Sequence, residues 1–326
     1  MFAQAIDDIL KDQCTPAVVR AIEAGGSPVA LWRAVEEAGF LELLAPEDAG
    51  GAALALPELY EVLAMLGRYA VPVPLGQSIA ARALLGVAAA QTAPPGMITL
   101  APSCRRDAAG RIFCPFTPSG MVADMVLAAD GDGLLLLPLA DAKREPVGVH
   151  GSLVASLAWP AGSGRHVAGD AEAVAPFAAA LHAAMMAGAM SRVFELTLQY
   201  CNDRQQFGKS LGKFQAVQHQ LSVMAEHVVA ALVAAEAAFQ TDAAAPSLLA
   251  AATAKSRNSE AAALVAATSH ALHGAIGITQ EYDLQLWTRR LHEWRMAHGS
   301  EAYWNLLVGR LVLADEGTLV DFVRTF

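Results

Sequence analysis

The sequence predicts a mostly α-helical protein in three consecutive parts: a helical region over residues 1–93, a small β domain over 94–170 and a C-terminal helical bundle over 171–326. Three observations carry this. Apolar residues recur at steps of three and four through both ends of the chain; from Pro94 to about Gly169 the pattern becomes short apolar runs between Gly, Pro and Asp clusters; and alanine-rich windows follow from about Ala171. With 326 residues and 55% hydrophobic content, the chain can bury a large core.

From Ala3 to about Ala90 the helical pattern breaks at Gly25-Gly26, at Pro46 to Gly51 and at Pro72 to Pro74. Trp32, Val35, Phe40, Leu41 and Leu44 make one apolar face, and Leu56, Leu59, Tyr60, Leu63 and Leu66 another. In the middle part, MITLA, MVLAA and LLLLPLA read as strands, and the Asp130 to Gly133 sequence DGDG as a hairpin turn. The most apolar long window, Val174 to Leu198, is interrupted by Pro176, His182, Arg192 and Glu195, so a buried helix is expected instead of a membrane span. A charged turn within Tyr200 to Ala225 separates it from the next helix. There Phe214, Val217, Leu221, Met224, Val228, Leu232, Ala235 and Phe239 form a stripe about 40 Å long. A further helix starts at Pro246 and breaks at Gly274 to Thr279; two more run from Leu284 to Met296 and from Ser300 to Leu313.

The net charge of -10 and the absence of a basic run argue against nucleic acid and anionic membranes as partners, since both need clustered Lys and Arg. Cys14, Cys104, Cys114 and Cys201 show no zinc-ligand spacing and read as reduced, packed thiols. The N-terminal MFAQAIDDILKDQC carries acids where a secretory signal has basic residues, so the cytoplasm is the expected compartment.

Two motifs are set aside. Gly208-Lys209-Ser210 has the ending of a phosphate loop, but position 203 is Asp203 and the segment joins two helices instead of following a strand. His270 and His273 are spaced as a metal pair could be, yet no carboxylate or cysteine joins them locally, and a capping or core role is favoured; no metal is expected. The charged turn itself could be a solvated corner between helices.

The order of residues in that turn says more. Arg204-Gln205-Gln206-Phe207-Gly208, then Phe214-Gln215 and Leu221 to Ala225, resembles the R-x-x-F-G segment of acyl-CoA dehydrogenases. His273-Gly274-Ala275-Ile276-Gly277 to Glu281-Tyr282 is similar to that family's G-G-x-G…E-Y, Arg289 stands where its second conserved arginine stands, and Leu31 to Gly51 is similar to its P-E-x-x-G-G segment. The resemblance implies the acyl-CoA dehydrogenase architecture: a helical domain, a middle β domain and a four-helix bundle. It further implies FAD as cofactor, an acyl-CoA thioester losing its α and β hydrogens, and an electron-transfer acceptor. It implies a homodimer, a homotetramer or a heteromer with a related catalytic subunit.

Carried over by position, Arg204, Phe207, Gln215, His273 and Gly274, within the turn Ala271 to Ala275, serve the diphosphate and adenine side of a flavin in a neighbouring subunit. Ser300 falls on the cofactor side and Gly299 on the substrate side. The family's E-G-T aligns with His298-Gly299-Ser300, so the catalytic glutamate is His298 here, with Glu301 as a weaker substitute base; the family's other base position, near Phe177 to Ala180, has no carboxylate. The β domain lacks the family's Y-x-x-T-E-P and W-[IV]-[TS] segments, and Ala275 and Ala271 replace a glycine and a glutamine. The expectation is a flavoprotein subunit paired with a catalytic partner. Its rivals are a non-catalytic scaffold and a flavin monooxygenase on the same fold.

Overall fold

The structure is a computed structural model that describes residues 1–92 and 95–324; the expected boundary at 93/94 lies outside the described residues. Helices α1 (Phe2–Gln13) and α2 (Pro16–Glu23) meet at a break that the sequence pattern had run together. Thr15 explains it: its hydroxyl accepts from the Val18 amide, and Pro16 occupies the first helical position, where its missing N–H costs nothing. After α3 (Val29–Glu37) come 3-10 turns at Phe40–Glu42 and Glu47–Ala49, then α4 (Leu56–Arg68) and α5 (Leu75–Thr92). The backbone leaves the helix at Gly86 within α5 (φ 68, ψ 167), a conformation open to glycine. The apolar face of α4, from Leu56 to Leu66, is buried as its spacing requires.

The β domain is two four-stranded sheets. One contains β1 (Ile98–Ala101), β4 (Met125–Asp130), β5 (Gly133–Pro138) and β8 (Arg165–Val167) in that spatial order, with β1 parallel to β4. The other orders β2 (Arg105–Arg106), β3 (Ile112–Thr117), β7 (Ala155–Trp159) and β6 (Lys143–Pro146). Asp130 pairs with Gly133, so the DGDG stretch closes a two-residue hairpin as expected. The Trp159 indole N–H ties the sheets together by donating to the Pro138 carbonyl at 2.8 Å.

The C-terminal part contains α6 (Val174–Asp203), a small hairpin of β9 (Gln205–Gln206) and β10 (Lys209–Ser210), α7 (Gln215–Ala237), α8 (Leu248–His273), α9 (Leu284–Met296), α10 (Glu301–Ala314) and α11 (Leu319–Arg324). Helix α6 is the axis of the molecule and packs against α4, α7, α8 and α9, while α8 also carries α10. By length and composition α6, α7 and α8 could each cross a membrane, and 89% of the apolar window of α6 is instead buried in the protein. Small residues make the packing close: a Cβ on Gly67 would collide with the Met185 carbonyl and one on Gly188 with the Ala64 carbonyl, so α4 and α6 touch backbone to backbone.

Charged contacts join the three parts. The buried Glu23 carboxylate, on α2, accepts from Arg289 and from Arg290 on α9, and Arg289 also reaches the His150 carbonyl in the loop before β7. Arg68 on α4 makes a two-pronged pair with Glu195 on α6 at 2.6 and 2.8 Å.

Candidate functional site

The residues singled out in the sequence fall at two places. The first is the end of the bundle where α6 gives way to α7. The hairpin tip there is Phe207-Gly208, both with positive φ (49° and 78°), as a two-residue hairpin loop requires. Left-handed backbone is costly for phenylalanine, and the ring it displays is 90% exposed. It meets Phe214 edge-on at 6.3 Å, and the Lys209 ammonium lies 4.2 Å from the Phe214 ring. Arg204 is exposed, no described residue pairs with its guanidinium, and Gln215 stands exposed at the start of α7.

The glycine turn after α8 belongs to the same end. The Tyr200 ring on α6 stacks on His273 at 4.4 Å, and its hydroxyl donates to the His273 carbonyl at 3.3 Å. His273 is therefore a buried support, its Nδ1 on the Ser269 carbonyl at 2.8 Å and its imidazole pushed below the usual histidine range by burial. Gly274, next to it, has φ +66 and open space around its Cα. Arg204, Phe207, Lys209, Gln215 and Gly274 together form an outward-facing patch with a fork of N–H donors, an ammonium, an aromatic face and accessible backbone. That chemistry suits an anionic, diphosphate-bearing group arriving from outside the chain. His270 bonds Thr288 through Nε2 at 2.9 Å, and no group of metal-ligating side chains occurs among the described residues.

The second place is the corner between α9 and α10. It lies about 28 Å along α8 from the glycine turn, taking nineteen residues between Lys255 and Gly274. His298 has φ +57. Its ring packs edge-on against His182 of α6 at 4.8 Å, and its Nε2 is sealed from solvent with no hydrogen-bond partner among the described residues. Burial, His182 and Lys255 all hold it well below the usual imidazole range. His182 donates from Nδ1 to the Ala178 carbonyl at 2.9 Å and is pushed down to about 3 by burial.

Lys255, fully buried on α8, clasps this corner: its Nζ reaches Ser259 Oγ at 3.1 Å, the Arg295 carbonyl at 2.9 Å and the Gly299 carbonyl at 2.9 Å. Burial pushes the amine down to about 7, whereas three acceptors together call for the three donors of the ammonium.

The corner leaves little for a substrate to use. The Gly299 carbonyl is occupied by Lys255, and a Cβ at Gly299 would strike the Tyr303 and Trp304 rings. Ser300 precedes α10 without a side-chain capping bond. Glu301 is bound by Arg295 (Nε to Oε2, 2.8 Å), which holds its carboxyl below the usual range and makes it a poorer proton acceptor than a free carboxylate. Beside the corner, Phe116, Val149, Val154, His292, Glu293, Met296 and Ala297 line an apolar pocket of about 140 Å³. Pockets that take drug-sized ligands run to about 300–1,000 Å³. The pocket beside this corner is too small for the ring half of a flavin, while the patch at the other end carries donors of the kind a diphosphate takes.

Lys255 and His182 were not anticipated. Their signal was present in part: Lys255, Asn258, Ser259 and Ala262 lie on one helical face of a stretch otherwise rich in alanine, which marks a buried polar seam.

Fold and site together define a mostly helical architecture around a small β domain, with an outward-facing charged turn at one end of the bundle. The family model of the acyl-CoA dehydrogenase N-terminal domain matches residues 1–91 and that of the C-terminal domain residues 171–313. The chain belongs to the acyl-CoA dehydrogenase family. It is 34% identical over 298 residues to acyl-CoA dehydrogenase IpdE2 of Mycolicibacterium smegmatis, covering 90% of this chain and 91% of that protein. A chain in the ChsE4-ChsE5 complex from Mycobacterium tuberculosis has the same fold, with a TM-score of 0.83 and 22% identity over 97% of each chain. A chain of the Tcur3481-Tcur3483 steroid ACAD gives 0.79 and 27% identity over 95% of this chain and 96% of that one.

Proposed function

We propose that this chain is the cofactor-completing subunit of a heteromeric acyl-CoA dehydrogenase, in which a related partner holds the flavin ring and the catalytic base. The carrying observation is the contrast between the two places: the Arg204 patch is open and its guanidinium has no partner among the described residues, while the His298 corner is clasped shut by Lys255 beside a pocket too small for a flavin ring. FAD, when bound across the pair, supplies the hydride acceptor for α,β-dehydrogenation of the acyl thioester. Arg204, with Gln215 and the Gly274 backbone, would orient its diphosphate and adenine half.

The apolar surface supports a partner. Tyr303, Leu306 and Leu313 on α10 and Val229 and Val233 on α7 are each more than half exposed, and only 28% of the apolar window of α7 is buried. The steroid ACAD relative supports a bulky, ring-bearing acyl-CoA as substrate, and the reading takes an electron-transfer protein as acceptor and the cytoplasm as the site of action.

The test is co-expression with adjacent coding sequences. The purified assembly should be yellow and reduce a dye with an acyl-CoA, Arg204→Ala should strip its flavin, and His298→Gln should leave turnover in place. Stoichiometric flavin on this chain alone, with turnover abolished by His298→Gln, would establish a self-sufficient enzyme instead. An assembly indifferent to Arg204→Ala would leave the chain as a scaffold.

A further inference from the structure

The edge of the β domain holds two thiols that the proposed function does not use. The β2–β3 ladder pairs Arg105 with Phe113 and Arg106 with Ile112. One step further along the same register, Cys104 stands opposite Cys114. Which kind of pair they form can be counted from the turn: the Asp107 amide donates to the Arg111 carbonyl at 3.1 Å, making 107/111 a hydrogen-bonded pair. Pairs alternate along an antiparallel ladder, so 106/112 is non-hydrogen-bonded, 105/113 hydrogen-bonded and 104/114 non-hydrogen-bonded again. In such a pair the Cα atoms lie about 4.5 Å apart with side chains on the same face, within the roughly 4.4–6.8 Å that a disulfide spans.

We propose that Cys104 and Cys114 form an oxidisable dithiol, a modification site at which a low-molecular-weight disulfide converts the β2–β3 pair into a cross-strand disulfide. Cys104 is half-buried and Cys114 is fully buried, so Cys104 is the thiol an oxidant meets. The Cys104 thiolate attacks one sulfur of the oxidant and expels one thiolate. Cys114, after losing its proton, attacks the Cys104 sulfur of the mixed disulfide and expels the second. Two electrons and two protons leave the protein, and the oxidant becomes two thiols.

The surroundings set the rate. Asp130 from β4 accepts a hydrogen bond from the Cys104 thiol, and it is itself paired with Arg106 on β2 and faces His166 on β8 at 3.8 Å. Burial and the Asp130 carboxylate push Cys104 up to about 11, and burial with the Cys104 and Asp130 charges pushes Cys114 up to about 12. At neutral pH the pair therefore stays reduced and reacts slowly, and its oxidation accelerates as pH rises. Closing the short ring from 104 to 114 restrains the unfolded chain and pins the edge strand β2.

The experiment uses the full chain, with whatever subunit co-purifies, and glutathione disulfide as oxidant at alkaline pH. The expected result is a chain lighter by two hydrogens and a linked peptide pair containing Cys104 and Cys114. Cys14 and Cys201 should remain alkylatable, and the thermal midpoint should rise by a few degrees and return on reduction. Cys104→Ser should abolish both the link and the rise. Accumulation of glutathione on Cys104 with no internal link, a link to any other cysteine, or full alkylation of both thiols after prolonged oxidation would each overturn the proposal.

Discussion

Arg204 shows how much rests on a single exposed side chain. Its guanidinium has no described partner within the chain, so its contribution to folding is small, and under the proposed function it would meet a bound diphosphate as a charge-assisted fork. Losing such a bond costs about 1.5–3 kcal/mol. Arg204→Ala should leave the melting curve unchanged and weaken flavin retention in the assembly by about 10- to 100-fold, read from the ratio of flavin to protein absorbance. Glu23 is the opposite case. It is buried between Arg289 and Arg290, and Glu23→Gln leaves two arginines facing an amide; a loss of about 3–5 kcal/mol in urea unfolding is expected.

The sign of the pH dependence follows from His182. Its imidazole is pushed from 6.5 down to about 3 in the folded protein. Between those values the unfolded chain binds the proton and the folded chain does not, so unfolding is favoured as pH falls. Stability should be complete above pH 6.5 and decline steadily towards pH 3. His182→Gln, measured by urea unfolding at neutral and mildly acidic pH, should flatten part of that slope.

Among the elements, the contact of α4 with α6 is the most demanding. Gly67 and Gly188 allow the two backbones to touch, and alanine at either position drives a Cβ into a carbonyl of the facing helix. Over-packing of this kind costs about 1–3 kcal/mol where neighbours can shift, and backbone can shift least. Gly67→Ala and Gly188→Ala should each lower the unfolding free energy measured in urea by at least that much. The corner between α9 and α10 is held just as firmly from a third helix, because one Lys255 amine joins carbonyls on both sides of His298.

For the whole molecule, the distribution of apolar surface is uneven. Helix α6 buries most of what it offers, whereas α7 and α10 leave Val229, Val233, Leu306 and Leu313 in solvent. A change confined to those positions should affect assembly and not folding. Leu306→Glu combined with Val233→Glu should preserve the circular dichroism spectrum and melting cooperativity while sedimentation shows the complex falling to its separate subunits; an unchanged sedimentation profile would count against the interface.

Most of the architecture was legible in the residues. Helical spacing on Leu56 to Leu66 and along Phe214 to Phe239, the DGDG hairpin and the Gly274 break are local properties, and local spacing dictates which face of an element is apolar. The same holds for the R-x-x-F-G turn, whose residues are consecutive and need no distant partner to take their shape. The break at Thr15 was missed because the cap competes with an apolar pattern that continues across it.

The fate of His298 was not legible. Its position in the chain suggested a base, but whether an imidazole serves as base or as packing depends on what α6 and α8 bring beside it, residues more than forty and more than one hundred positions away. The order of residues therefore determined the fold and the outward-facing charged turn, both built from neighbours along the chain. Tertiary packing decided that the His298 corner is closed, since burial and charge at one atom depend on groups brought together from distant parts of the chain.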